Sequence, residues 1–166
     1  MVVTNILLNF ALSKIRNGMF EDSLFTPMED TRSSIEFTSS QLFISFLNQL
    51  EGWKTKCKNL HWSAPKQNIH IYLDEFLDVI SNYQDGLAEG YMGILGKMQP
   101  NVIKGTPSNT LNAFDFIDEI KSATISFYNK IPKDTIYKGI ASECETFIQN
   151  INKYDYLFHL CDVKSY

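Results

Sequence analysis

The fold of this chain is decided by residues 60–96, LHWSAPKQNIHIYLDEFLDVISNYQDGLAEGYMGILG. Apolar residues recur there every three or four positions, the spacing that places side chains on one face of an α-helix. The pattern predicts a helix from about Gln67 to Leu95 that stops at Gly96, since glycine commonly follows a helix end. Its predicted core face consists of Leu73, Phe76, Leu77, Ile80, Tyr83, Leu87, Tyr91 and Ile94.

A second face of the same helix carries histidine and acidic residues. Two pairs lie on it four positions apart, His70 with Asp74 and Asp85 with Glu89. Because a helix turns by about 100° per residue, all four side chains fall within about 100° of one another, nearly opposite the core face. We expect this face to meet another helix, since small residues lie between the charged ones.

One helix cannot bring the two pairs together, because their centres are about 22 Å apart at a rise of 1.5 Å per residue. A second copy of the helix, packed antiparallel about a two-fold axis, would set the first pair of one chain against the second pair of the other. This packing predicts two equivalent sites in a homodimer, each formed by residues of both chains.

Several short motifs of this stretch point to one protein family. They are His61-Trp62, His70-x3-Asp74, Asp85-x2-Ala88-Glu89 and Leu95-Gly96, with eleven residues from Asp74 to Asp85. Together they resemble the Dps-like miniferritins of the ferritin-like superfamily. The resemblance is dense over residues 60–96, concerns only the architecture over residues 38–162, and does not include the first 37 residues.

The resemblance implies a di-iron ferroxidase site between two subunits, where Fe(II) is oxidised. The implied metal ligands are His61, His70 and Asp74 from one chain with Asp85 and Glu89 from the other, and Trp62 is the implied catalytic aromatic neighbour. Zinc or manganese would suit the same imidazole and carboxylate ligands. Iron storage and protection against oxidative stress are the roles that follow. The implied assembly is a homo-oligomer, at least a two-fold dimer, with a dodecamer as the larger alternative.

Composition describes a globular protein without an evident polyanionic partner. The chain has 166 residues, of which 44% are hydrophobic and 20% charged, with a net charge of −4. Its two ends hold few lysines or arginines, so we do not expect DNA binding, which depends on phosphate contacts. No apolar run approaches the roughly 20 residues of a membrane span. Three cysteines without a CxxC spacing favour a reducing, cytoplasmic location.

The remaining chain predicts an all-α fold, a ferritin-like four-helix bundle with a short extra N-terminal helix. We expect residues 1–37 to form that helix, over residues 4–17, and an arm. Residues 38–166 form the bundle domain, with Thr38 or Ser39 capping its first helix. Heptad spacing predicts two apolar seams in this helix, formed by Phe43, Leu50 and Cys57 and by Phe46, Trp53 and Leu60.

The second half of the chain continues the helical pattern. A third helix is predicted to start near Asn109 or Thr110 and to end at Pro132, and Asp134 is predicted to cap a fourth helix. Its predicted seams are Tyr137, Cys144, Ile151 and Phe158, and Ile140, Phe147, Tyr154 and Cys161. The segment between the second and third helices fits either a hairpin or a crossover connection.

A second hypothesis is a non-catalytic bundle that acts as a structural or interaction module. It is supported by the short loops, by the N-terminal arm and by Gly90, which stands where the miniferritins commonly have arginine. Stoichiometric metal binding at a dimer would separate this hypothesis from a ferroxidase.

Overall fold

A computed structural model describes the chain over residues 28–162. The described part is all-α, without a strand, and consists of α1 (Met28–Ser63), α2 (Gln67–Leu95), α3 (Ala113–Lys130) and α4 (Lys138–Asp162). A single 3-10 turn, Thr135–Tyr137, leads into α4. Contacts divide the chain into two units, Met1–Ser34 and Ile35–Tyr166, and the second contains α1 from Ile35 onward together with α2, α3 and α4. The helix predicted over residues 4–17 lies outside the described residues.

Helix α2 has the predicted bounds, whereas the other helices start elsewhere than expected. Gly96 ends α2 with a φ of 86°, in the left-handed region that glycine adopts without strain. Helix α3 begins at Ala113 and not at Asn109 or Thr110, because the side chain of Asn112 caps it by accepting hydrogen bonds from two backbone N–H groups. Asp134 caps the 3-10 turn that precedes α4.

Helix α1 begins at Met28, so the prediction of a cap at Thr38 or Ser39 is wrong. The sequence between Met28 and Glu51 contains neither glycine nor proline. Serine and threonine tolerate a helix interior when no stronger signal interrupts the chain, and their capping preference alone does not start a helix.

Most of the predicted apolar positions of α1, α2 and α4 are buried in the core. All six members of the two α1 seams and all eight members of the seams assigned to the fourth helix are buried. On the predicted core face of α2, only Leu77 and Ile94 are partly exposed, and Ile69 is buried in addition. In α3 Phe116 is fully buried, whereas Phe114 is partly exposed.

Contacts near both ends of the bundle show which helices are neighbours. They are Ser40–Tyr91 and His61–His70 for α1 with α2, Phe46–Phe127 and Trp53–Glu119 for α1 with α3, Tyr83–Phe147 and Phe76–Tyr154 for α2 with α4, and Lys121–Asp155 and Tyr128–Glu145 for α3 with α4. For each pair of helices, the contact with the higher residue number in one helix has the lower residue number in the other. All four pairs of neighbouring helices are therefore antiparallel. Helices α2 and α3 therefore run in the same direction.

Two parallel helices need a connection that travels the length of the bundle, and residues 96–112 supply it along α1. The side-chain oxygen of Asn48 accepts hydrogen bonds from the backbone N–H groups of Lys104, at 2.7 Å, and Gly105, at 3.1 Å. One turn further along α1, Gly52 contacts Thr106. Two turns further, the Lys56 ammonium donates to the carbonyl of Thr110. The connection is thus a crossover, which the sequence left open.

The crossover lies so close to α1 that residue 52 has no space for a side chain. A Cβ atom on Gly52 would overlap the carbonyl oxygen of Thr106, whereas a Cβ atom on Gly93, near the end of α2, would meet nothing within 4 Å. We expect Gly52→Ala to lower the free energy of unfolding by about 1–3 kcal/mol, since the backbone must move. The control Gly93→Ala should raise it by about 0.5–1 kcal/mol. Urea denaturation measures both, and a Gly52→Ala protein as stable as wild type would contradict the crossover packing.

Candidate metal centre

The structure brings His61, His70 and Asp74 together where α1 ends and α2 begins. The two imidazole rings stack with centroids 3.8 Å apart and planes inclined by 26°. Oδ1 of Asp74 lies 3.8 Å from Nδ1 of His61. The nine-residue separation of the two histidines therefore brings their rings together, with His61 beside the Asp74 carboxylate.

Reciprocal hydrogen bonds fix the two histidines. Nδ1 of His61 lies 2.9 Å from the carbonyl oxygen of His70, and Nδ1 of His70 lies 2.8 Å from the carbonyl oxygen of His61. Because a carbonyl oxygen only accepts, these hydrogen bonds place a proton on each Nδ1, and in that tautomer the lone pair of the ring lies on Nε2. Metal-binding histidines typically show this pattern, in which one ring nitrogen donates to the protein and the other binds the ion.

Asp85 and Glu89 lie on the exposed face of α2 but away from this cluster. Eleven residues of helix separate Asp74 from Asp85, which corresponds to about 16 Å along the axis. Over residues 28–162, no group of three or more His, Cys, Asp or Glu side chains is arranged to hold a metal ion. A single chain therefore assembles neither the predicted set of five ligands nor a three-ligand metal site from His61, His70 and Asp74.

A groove beside Asp85 separates α2 from α1 and the crossover. Its lining includes Leu47, Lys54, Ser81, Ala88 and Ile103. The Lys54 ammonium donates to Oε2 of Glu51 at 3.0 Å, and this hydrogen bond is the main reason that the pKa of Glu51 lies below its usual value. The same ammonium donates to Oε1 of Gln84 on α2, at 2.9 Å.

Trp62 and Lys58 border the histidine cluster on α1. The Trp62 side chain is 69% exposed, so its ring lies at the surface of the chain beside His61. The Lys58 ammonium is 3.6 Å from Oδ1 of Asp74 and 6.0 Å from the centre of the Trp62 ring. Sequence reasoning missed Lys58, although its position one turn before Trp62 could have indicated that it faces the site.

Cys57 lies under the site without being available to it. Its Sγ atom is fully buried and donates to the carbonyl of Leu73, at 3.2 Å. Burial, and to a smaller degree the negative charge of Asp74, raises the pKa of this thiol to about 12. Since metals bind the thiolate and not the thiol, the candidate ligands are imidazole and carboxylate only.

Comparisons with models of protein families, with curated proteins and with solved structures found no match. Within the described helices, none combines the length and the apolar character that crossing a membrane requires.

The state of Cys57 can be tested by alkylation. At pH 8 the folded protein should leave Cys57 unmodified by iodoacetamide, because a pKa of about 12 leaves almost no reactive thiolate and burial blocks access. Peptide mass spectrometry after timed quenching measures the modified fraction, with the protein in urea as the reference for full reactivity. Modification of Cys57 at the same rate in both samples would contradict its placement in the core.

Proposed function

We propose that this protein binds ferrous iron between two copies of the chain and oxidises it there. The observation that carries the proposal is the cluster of His61, His70 and Asp74, with both Nδ1 protons committed to backbone carbonyls. Asp85 and Glu89 extend the same exposed face of α2 and supply the carboxylates that a second chain would add.

The spacing on α2 suits an antiparallel two-fold contact. An axis that crosses the helix between Val79 and Ile80 sets His70 of one chain opposite Glu89 of the other, and Asp74 opposite Asp85. In the same register the remaining acid of this face, Asp78, lies opposite Ser81. The Ser81 hydroxyl donates to the carbonyl of Leu77 at 2.8 Å, so it folds back onto its own helix and leaves room for a carboxylate.

Charge supplies a reason for a cation in such a contact. Carboxylates that face one another across an interface repel, and burial penalises their charged forms further. A divalent cation between two imidazoles and three carboxylates removes this repulsion, and the mixed donor set suits iron, with zinc or manganese as substitutes. In the proposed reaction ferrous iron is the substrate, oxygen or peroxide takes up its electrons, and Trp62 is the aromatic side chain that follows His61 in the sequence.

The connectivity of the helices supports placing the chain among ferritin-like bundles. A bundle whose neighbouring helices are all antiparallel, with one long crossover between its second and third helices, is the arrangement of that class. In such proteins the iron site of each bundle usually includes a Glu-x-x-His motif inside the core, which this sequence lacks. A site on the outer face of α2, shared between chains, is consistent with both observations.

A non-catalytic interaction module is the second candidate. It is favoured by large apolar side chains exposed at the end of the bundle that holds the histidines, namely Trp62, Ile71, Leu111 and Leu160. Gly90 gives it less support than the sequence suggested, because the position of a Cβ atom at residue 90 lies 3.1 Å from Ile140 Cγ1. Close packing of α2 against α4 is thus enough to explain this glycine.

Metal titration separates the two candidates. We expect wild-type protein to bind Zn²⁺, a redox-inert probe, in isothermal titration calorimetry with at least one ion per chain, and to have the mass of a dimer or larger oligomer by light scattering. His70→Ala and Glu89→Ala should each weaken binding by at least about tenfold, since each removes a ligand. Asp118→Ala, which removes an exposed acid of α3, is the matched control and should bind as wild type does.

Two results would contradict the proposal. One is wild-type protein that binds no zinc and stays monomeric, and the other is unchanged zinc affinity in both ligand variants. Stopped-flow measurement of ferrous oxidation then decides whether a bound metal is also turned over, because a purely structural site would bind iron without accelerating its oxidation.

A further inference from the structure

We propose that Lys58 competes with the metal ion for Asp74 and thereby sets the affinity of the site. The inference rests on the proposed function, since it concerns how the same ligands change from a metal-free to a metal-bound state. Lys58 is not one of the five expected ligands.

In the metal-free chain, the Lys58 ammonium already lies beside the Asp74 oxygen that the metal would use. Oδ1 of Asp74 has the Lys58 ammonium at 3.6 Å and the Nδ1–H of His61 at 3.8 Å. That Nδ1–H points mainly to the carbonyl of His70, at 2.9 Å, so Lys58 supplies the full positive charge beside the carboxylate. In the chain alone, Lys58 therefore neutralises the acid that the metal needs.

An ammonium group and a divalent ion cannot share this oxygen without strong repulsion. Two cations that contact the same carboxylate come within a few ångströms of each other, where like charges cost several times the thermal energy in a partly buried site. Binding of the metal thus requires Lys58 to leave Asp74. The cost of this exchange is subtracted from the free energy of metal binding.

The free-energy cost of moving Lys58 away from Asp74 depends on how exposed the two side chains are. The Lys58 and Asp74 side chains are 41% and 59% exposed, so solvent screens their attraction and the pair is weak. Lys58 consequently lowers the affinity without blocking the site. The face of the Trp62 ring, 6.0 Å from Nζ, offers the displaced ammonium a favourable position.

Trp62 and Lys58 act together in this exchange. A four-residue step on α1 puts the ring and the ammonium on one helix face, beside the cluster that α2 completes. When the metal is absent, the ammonium stabilises the acidic face, and when the metal arrives, the ammonium moves off the carboxylate. Metal and lysine thus exchange at one oxygen atom.

Zinc affinity of Lys58 variants tests the exchange directly. We expect Lys58→Met to bind Zn²⁺ about two- to fivefold more tightly than wild type in low-salt calorimetry, the fold-change that corresponds to an exposed ion pair. Lys58→Arg keeps the charge and should bind as wild type does. Lys121→Met is the matched control, because Lys121 forms the same kind of pair with Asp155, at 3.1 Å, between α3 and α4.

Salt supplies a second readout. At about 0.5 M salt the affinities of wild type and Lys58→Met should converge, since screening removes the advantage of deleting the charge. Equal or weaker zinc binding by Lys58→Met at low salt, while wild type binds zinc and loses it with His70→Ala, would overturn this inference alone. Wild-type protein that binds no zinc would overturn it together with the proposed function. Circular dichroism of each variant verifies that the helices are retained.

Discussion

The burial of one face of α2 determines which side chains this helix presents outward. Seven residues of this helix, from Ile69 to Tyr91, are buried against α1 and α4, and they fix its rotation about its axis. Once the rotation is fixed, the opposite face must point outward, and that face carries His70, Asp74, Asp85 and Glu89. A rotation of one residue would place acids in the core, where an unpaired charge is very costly.

The short connection between α1 and α2 brings the histidines of the two helices together. Only residues 64–66 separate the two helices, so the last turn of α1 lies beside the first turns of α2. The carbonyl of His61 lies in the last turn of α1, where carbonyl groups lack helical partners, and the His70 imidazole donates to it. The carbonyl of His70 lies in the first turn of α2 and accepts a hydrogen bond from the His61 imidazole. The same bonds hold both rings in one tautomer, so the fold of the corner and the chemistry of the histidines have a common cause.

The sequence predicts the features that arise from local spacing. The bounds of α2, both seams of α1 and the acidic face follow from periodicity, and Gly96 marks the end of α2. The start of α1 does not follow, because the Thr38–Ser39 signal is no stronger there than its surroundings. The sequence also does not predict the crossover connection or the contact of Lys58 with Asp74. The course of residues 96–112 depends on Asn48 and Gly52, which are distant in sequence, and Lys58 meets Asp74 only after α1 and α2 have packed.

Mixing two defective chains measures most directly whether the site is shared between subunits. Asp74→Ala and Glu89→Ala proteins are refolded together, mixed dimers are verified by native mass spectrometry, and initial ferrous oxidation is recorded. In a mixed dimer one site collects both defects and the other has all five ligands, so we predict about half of the wild-type rate per mixed dimer, although each parent is inactive. A site within one chain cannot recover in this way. Mixed dimers no more active than their parents would contradict the shared site.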